Sequence, residues 1–384
     1  MSSLNDKLTH IEEIVYLRGF SILAVIAIHT SGYFSKVSTP NLTVIINLVI
    51  GVFSHFAVPM FIFISGFVLS LKYRENIHKI NFVKKRMKSI VPQYLIFSFV
   101  YLIMKEFHTL YASLLGLPSV SGVSERLSIG IILFKLLTGS SCFHLWFIIL
   151  IIQFYLLYPF IIKVYTKYSQ KNSIMLLMLI AYFTQVIWEI YILDLNNRAS
   201  LNLQFINYIY LPSYTFYFIA GIYFSQHFEA IMSMISKYKI NIVVLSIIII
   251  LTVVSSYLTF EIYYGSLNET HPYSSLILIF ISPIYYSSIC LILITIARKL
   301  TRQNTVYSVT IHRFGEYSFG IYLIHGVFLY CILALLNVFG VTPKSFIFYP
   351  LYTIMVTGLS YTSVCLLNRL PLGSYVIGQS RKSN

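Results

Sequence analysis

The chain has 384 residues, of which 58% are hydrophobic and only 10% charged, and its mean hydropathy is +0.79. A soluble domain is about 25% charged because its surface must meet water, so this composition excludes a soluble enzyme, a disordered chain and a secreted disulfide scaffold. The formal charge of +15 reads as the positive-inside bias of a membrane protein. No run interleaves basic and aromatic residues outside the apolar stretches, so nucleic acid is not an expected partner.

Stretches of about 20 apolar residues, the length that crosses a bilayer, fall near 14–34, 42–71, 90–107, 144–165, 173–194, 206–226, 240–260, 275–297, 317–339 and 346–368. The first follows Glu12 and Glu13, contains Arg18 and ends in no small-residue cleavage site, so it is read as a retained span. Twenty of the 27 basic residues lie on the side of the N-terminus, six on the other, and Arg18 lies within a span. With an even number of spans, that asymmetry places both termini in the cytoplasm. Residues 108–143 form the longest loop, and their apolar patch Ile129 to Leu137 is too short to cross; it is read as interfacial or re-entrant. The expected fold is an all-α, polytopic transmembrane helical bundle of about ten spans, one domain over 1–384 with no appended soluble domain and no internal repeat. The four cysteines (Cys142, Cys290, Cys331, Cys365) show neither CxxC spacing nor clustering, so no disulfide framework and no metal site are expected.

Polar groups in such a chain are informative because lipid penalises them. The first span carries Arg18 and His29, eleven positions apart and therefore offset by only about 20° around the helix and about 16 Å along it. One stripe thus holds a cation near the cytoplasmic end and an imidazole toward the outer end. The bland reading is an arginine that snorkels and a histidine bonded to a neighbouring helix. In the second span, Val58-Pro59 and Ser65-Gly66 interrupt an apolar run, which predicts a kink or a close helix approach. Basic residues from Lys84 to Lys88 precede Pro92; Arg86 and Lys88 read either as a positive-inside anchor or as a phosphate site. His144 and Trp146 open the fourth span; the tryptophan suits an interfacial belt, while His144 lies at about the depth of His29. In the ninth span, Ser318, Tyr322 and His325 share one helical face, as either polar packing or a site.

Taken together these motifs resemble the acyltransferase-3 family of integral-membrane acyltransferases. Arg18-x10-His29 is similar to the family's first-helix pair, Pro59 to Gly66 to its second-helix Pro…Phe-Phe…Ser-Gly pattern, and Arg86 and Lys88 before Pro92 to its basic lead into the third helix. His144-Leu145-Trp146-Phe147 and Ser318…Tyr322-x-x-His325 match as well, in order across about 300 residues. Lys88 stands where the family more often has arginine, and the esterase-like soluble domain of some members is not expected here. The segments Glu13 to Arg18 and Ile377-Gly378 also resemble a branch that O-succinylates the intercellular-adhesin polysaccharide.

The resemblance implies transfer of an acyl group, most often acetyl, from cytoplasmic acyl-CoA to a hydroxyl or amine, usually on an envelope carbohydrate or lipid-linked glycan. It also implies residence in the bacterial cytoplasmic membrane, in contact with membrane lipid. The chemistry then needs a general base, which an imidazole with a pKa near 6.5 supplies, so His29 is expected as base with Arg18 orienting the donor or the base. Arg86 and Lys88 are expected to bind CoA phosphate. A tetrahedral intermediate needs a donor at its oxyanion, and His144, Tyr322 or His325 could serve; Trp146, Ser65 and Ser318 are further cavity candidates. No metal cofactor is expected, and the oligomeric state is not legible.

The rival is a transporter of polysaccharide or its lipid-linked precursor, because intramembrane Arg and His also serve proton coupling. Transporters usually carry duplicated halves with paired broken helices. Here the polar motifs gather in spans one, two, three, four and nine instead.

Overall fold

The computed structural model describes residues 2–33, 37, 41–73, 79–114, 128–168, 171–199, 210–238, 240–264 and 272–378. The first half comprises α1 (Ser2–Ser31), α2 (Leu42–Ser54), α3 (Ala57–Lys72), α4 (Lys79–Leu114), α5 (Ile129–Thr138), α6 (Trp146–Lys167) and α7 (Lys171–Ala199). The second comprises α8 (Thr215–Lys237), α9 (Ile240–Tyr264), α10 (Pro272–Leu300), α11 (Val306–Glu316), α12 (Ser318–Val338), α13 (Phe348–Arg369) and the single turn α14 (Gly373–Val376). No strand occurs among the described residues. Helices are the expected solution, since in lipid each backbone polar group must be satisfied within its own segment.

Among the described residues, nine helical segments are long and apolar enough to cross a membrane. The stretch expected near 206–226 differs from this pattern. A 3₁₀ turn at Leu211–Tyr214 leads into α8, which starts at Thr215 and kinks at His227; residues 206–209 lie outside the described residues. Gln226, His227 and Glu229 make its second half polar, so α8 is held by burial against protein rather than by apolarity alone.

α8 crosses α3 at two reciprocal glycines. A Cβ on Gly66 would lie 2.2 Å from the Phe218 carbonyl oxygen, and one on Gly221 would lie 2.1 Å from that of Phe63. The close approach predicted at Ser65-Gly66 is therefore present, and it allows two backbones to touch where lipid offers no hydrophobic drive between helices.

The predicted stretch 42–71 is two helices broken at His55 and Phe56. A proline ring collides with the carbonyl four residues earlier in a continuous helix, and four residues before Pro59 is His55. The break falls there, leaving Pro59 in the first turn of α3, where its missing N–H costs nothing.

α11 is a short helix in the connection before the ninth stretch, where the sequence reading expected no span; Tyr317 divides it from α12. Its Ile311 and Gly315 press on α1, where a Cβ on Gly19 would meet the Ile311 carbonyl oxygen at 2.3 Å. Tyr16 on α1 bonds Ser308 of α11 at 2.7 Å, and Glu12 pairs with His312 at 2.9 Å. Arg298, at the end of α10, reaches Glu229 of α8 at 2.8 Å and the buried Glu13 of α1 at 3.9 Å.

α5 is a ten-residue helix capped by the Ser128 side chain and by left-handed Gly139 (φ 73°). It is too short to span, and its Ile129, Leu133, Phe134 and Leu137 are all exposed, as an interfacial segment would have them. The organising element is α1, which contacts α2, α3, α10, α11, α12 and α13. Leu17, Ile22 and Ile26 are at most 1% exposed, so polar residues on the same helix are carried into the interior.

Candidate active site

At one end of α1 three imidazoles stand in a row. The His29 ring stacks on His325 with centroids 5.5 Å apart, and His325 lies 4.5 Å from His144. His29 also meets the edge of Phe143 at 4.7 Å. His144 and His325 are buried. His29 and His144 belong to one cluster, with His325 standing between them.

The row is held by backbone contacts. The Tyr322 hydroxyl donates to the His144 carbonyl and so helps to hold that residue. The Tyr101 hydroxyl donates to the Leu323 carbonyl at 2.7 Å, with its ring edge against His144. His325 Nδ1 lies 2.7 Å from the Tyr322 carbonyl oxygen. A carbonyl can only accept, so Nδ1 carries the proton and Nε2 keeps the lone pair. That Nε2 is buried and makes no hydrogen bond within the protein. His29 and His325 stack while His144 is tilted against His325, and no group of three His, Cys, Asp or Glu among the described residues is placed to hold a metal ion.

His29 also faces a cavity of about 550 Å³, lined in part by Tyr33, His55, Ser255, Ser282, Tyr286 and Tyr352. His144 and His325 are not on its wall. Of the three imidazoles in the row, His29 is thus the one that a bound molecule would touch. Cys142, next to the row, is 1% exposed, and burial pushes its thiol up to about 11, against the opposing pull of Lys105. It is a thiol rather than a thiolate near neutral pH, and so a poor nucleophile.

Toward the other end of α1, Arg18 lies within electrostatic reach of Tyr155 and Arg86. The Arg86 guanidinium is caged by Tyr73, Phe82 and Tyr155, with ring centroids 5.3, 5.8 and 5.5 Å away. Its Nε is buried without a hydrogen-bond partner. Lys88 is exposed; two residues along a helix is about 200° around it, so Arg86 and Lys88 do not face one point. Of the remaining candidates, Trp146 packs on Tyr214 with centroids 6.3 Å apart, and its neighbour Phe147 touches Tyr322. Ser65 sits beside the Gly66 crossing, and Ser318 is buried two turns before His325.

Two residues of the site escaped sequence reading. His55 is one; its signal was Pro59 four residues on. Gly326 is the other: a Cβ there would lie 2.7 Å from His144 Cε1 and 2.7 Å from the Tyr101 hydroxyl, so only glycine admits the His144 ring.

Comparison with known proteins bears on this arrangement. The sequence model of the acyltransferase-3 family, described as an acyltransferase domain, matches residues 11–365. Curated relatives include a protein of Staphylococcus aureus strain Mu50, 22% identical over 96% of this chain and 95% of its own length. Another, from Staphylococcus epidermidis, is 25% identical over 96% of this chain and 94% of its own. Both are named "Probable poly-beta-1,6-N-acetyl-D-glucosamine export protein". No solved structure matches.

Proposed function

Because the chain belongs to the acyltransferase-3 family of membrane acyltransferases, we propose that it moves an acyl group from cytoplasmic acyl-CoA to a hydroxyl of an envelope or exported carbohydrate, with His29 as general base. The observation that carries this reading is the position of His29, which alone of the three imidazoles in the row lines the cavity. The acyl group is acetyl or succinyl, and the relatives' names support a polysaccharide as acceptor.

The step is an acyl exchange. The acceptor oxygen attacks the thioester carbonyl while His29 takes the hydroxyl proton, giving a tetrahedral oxyanion. Collapse breaks the C–S bond, forms the ester and returns the proton to the CoA sulfur. His325, stacked behind His29 with Nε2 unpaired, supports the ring and offers a place for the proton. The aromatic cage aims Arg86 at the CoA phosphates, with Arg18 next along the path to His29. Both termini and this basic end then face the cytoplasm, and the cavity faces the acceptor side.

The test is transfer in isolated membranes with labelled acyl-CoA. His29→Ala is expected to abolish transfer with insertion retained, and undiminished transfer would remove His29 from the mechanism. Arg86→Ala is expected to weaken acyl-CoA binding without changing acceptor binding. The relatives' names favour a second reading, polysaccharide export. Free CoA released only when acceptor is present supports the transferase; its absence together with glycan movement supports the exporter.

A further inference from the structure

A second cavity, of about 440 Å³, opens between α8, α9 and the end of α10, and no residue of the imidazole row lines it. α9 packs along α10, and α8 touches both. Asn241 of α9 accepts a hydrogen bond from Thr295 of α10 at 3.4 Å, which ties the two walls together. The apolar segments that carry these walls begin at Ile240 and end at Leu300. The cavity therefore stands where spanning helices meet the lipid headgroups, not at the depth of the hydrocarbon core.

Arg298, Lys299 and Arg302 line it, with the carboxylate of Glu229. Arg298 is already engaged: Nη2 donates to Glu229 at 2.8 Å, Nε lies 3.9 Å from Glu13, and the guanidinium lies over the Phe228 ring. It is a fixed part of the wall. Lys299 and Arg302 are exposed and three residues apart, so they project from one side of the last turn. Across from them α8 contributes the hydroxyls of Ser233 and Ser236. Cations and hydroxyl donors around one hollow suit phosphate oxygens. A positive-inside anchor needs only charge in water, with no enclosed space between helices.

The surface beneath this basic rim is apolar. Leu245 and Ile249 follow Asn241 at i+4 and i+8 on one face of α9, and Ile296 precedes Lys299 by three on α10. All three are exposed. On a spanning helix such side chains meet acyl chains.

We propose that this cavity binds the phosphodiester headgroup of an anionic phospholipid, with Lys299 and Arg302 on the phosphate and the acyl chains along the apolar strip below. Basic pockets between spanning helices hold anionic headgroups in this way. The charge selects an anionic lipid over a zwitterionic one, whose own ammonium would be brought toward the same cations. Free phosphate shares the headgroup chemistry but has no chains to lay on the strip. Because Arg298 joins the cavity wall to Glu13 of α1, an occupant also braces the helix that carries Arg18 and His29. The assignment does not depend on the transferase reading.

The test uses the purified full chain in detergent micelles, with phosphatidylglycerol, phosphatidylcholine, inorganic phosphate and CoA as probes. Bound lipid is read by native mass spectrometry. Phosphatidylglycerol is expected to bind at least about tenfold more tightly than phosphatidylcholine, and excess phosphate or CoA not to displace it. Lys299→Gln combined with Arg302→Gln is expected to weaken phosphatidylglycerol binding about 10- to 30-fold, the loss of two cations at a headgroup. Ser236→Trp, which fills the cavity and keeps every charge, is expected to weaken it as well. Lys163→Gln combined with Lys167→Gln removes the same charge from exposed positions on α6 outside the cavity, and is expected to leave affinity within about twofold. Equal binding of the two lipids, unchanged affinity in both cavity variants, or an equal loss in the α6 variant would overturn the assignment. Displacement by inorganic phosphate or CoA would remove the lipid as occupant and make the cavity a site for soluble phosphate.

Discussion

Gly326 and His144 pack so closely that a Cβ at position 326 would lie 2.7 Å from the imidazole Cε1. The glycine on α12 is the seat of the histidine at the start of α6, and through His144 it fixes the row that ends at His29. Gly326→Ala is expected to displace His144 and lower transfer by about 10- to 100-fold, the cost of a displacement of about 1 Å in a reacting constellation. Single-turnover rates in membranes containing equal amounts of inserted protein measure it; a rate within twofold of wild type would show that the seat is unimportant.

Pro59 forces the helix break at His55. In Pro59→Ala the N–H of residue 59 is free to bond the His55 carbonyl, joining α2 to α3 and turning His55 away from the cavity. The distance between spin labels at Leu42 and Lys72 is expected to lengthen, and an unchanged distance would show that packing alone sets the break.

The reciprocal glycines of α3 and α8 leave no room for a side chain. Gly66→Val and Gly221→Val each place carbon atoms against a backbone carbonyl that cannot swing aside, so each is expected to cost about 1–3 kcal/mol or more. Thermal unfolding in micelles reads the loss. The double variant is expected to be less than additive, because one crossing is disrupted either way.

Arg298 joins α10 to Glu13 and Glu229, and the two partners are not equivalent. The Glu13 side chain is 6% exposed and that of Glu229 61%. Removing the cation takes a partner from the buried Glu13 carboxylate, so Arg298→Met is expected to destabilise more than Glu229→Gln, which breaks only the exposed pair and is expected to cost about 0–1 kcal/mol. Unfolding of the two variants separates them, and equal losses would contradict the burial argument.

Cys142 tests whether the acyl group passes through the protein. With its thiol raised to about 11, the thiolate is scarce at neutral pH and grows only as pH rises toward that value. Maleimide labelling of Cys142 is expected to be slow at pH 7 and faster at pH 10, and Cys142→Ala to retain transfer. Loss of transfer with normal insertion would point to an acyl-cysteine instead.

The amino-acid sequence determined the class of molecule, because low charge and ordered apolar stretches admit no other solvent for this chain. It also determined the family motifs, since Arg18, His29, His144 and His325 are conspicuous where lipid penalises polarity. The close approach at Gly66 was legible for the same reason. Its partner Gly221 was not, because a glycine becomes informative only once the opposing helix is known. The short, polar α11 was hidden too, being held by its contact with α1 rather than by its own apolarity. His55 lay within a stretch that reads as one span, and its exposure follows from the break before Pro59. Only the tertiary structure placed His29, and neither His144 nor His325, on the cavity wall, separated Lys88 from Arg86, and committed the Tyr322 hydroxyl to the His144 backbone. Those relationships depend on distances between helices far apart in the chain, and the periodicity of a single helix carries no information about them.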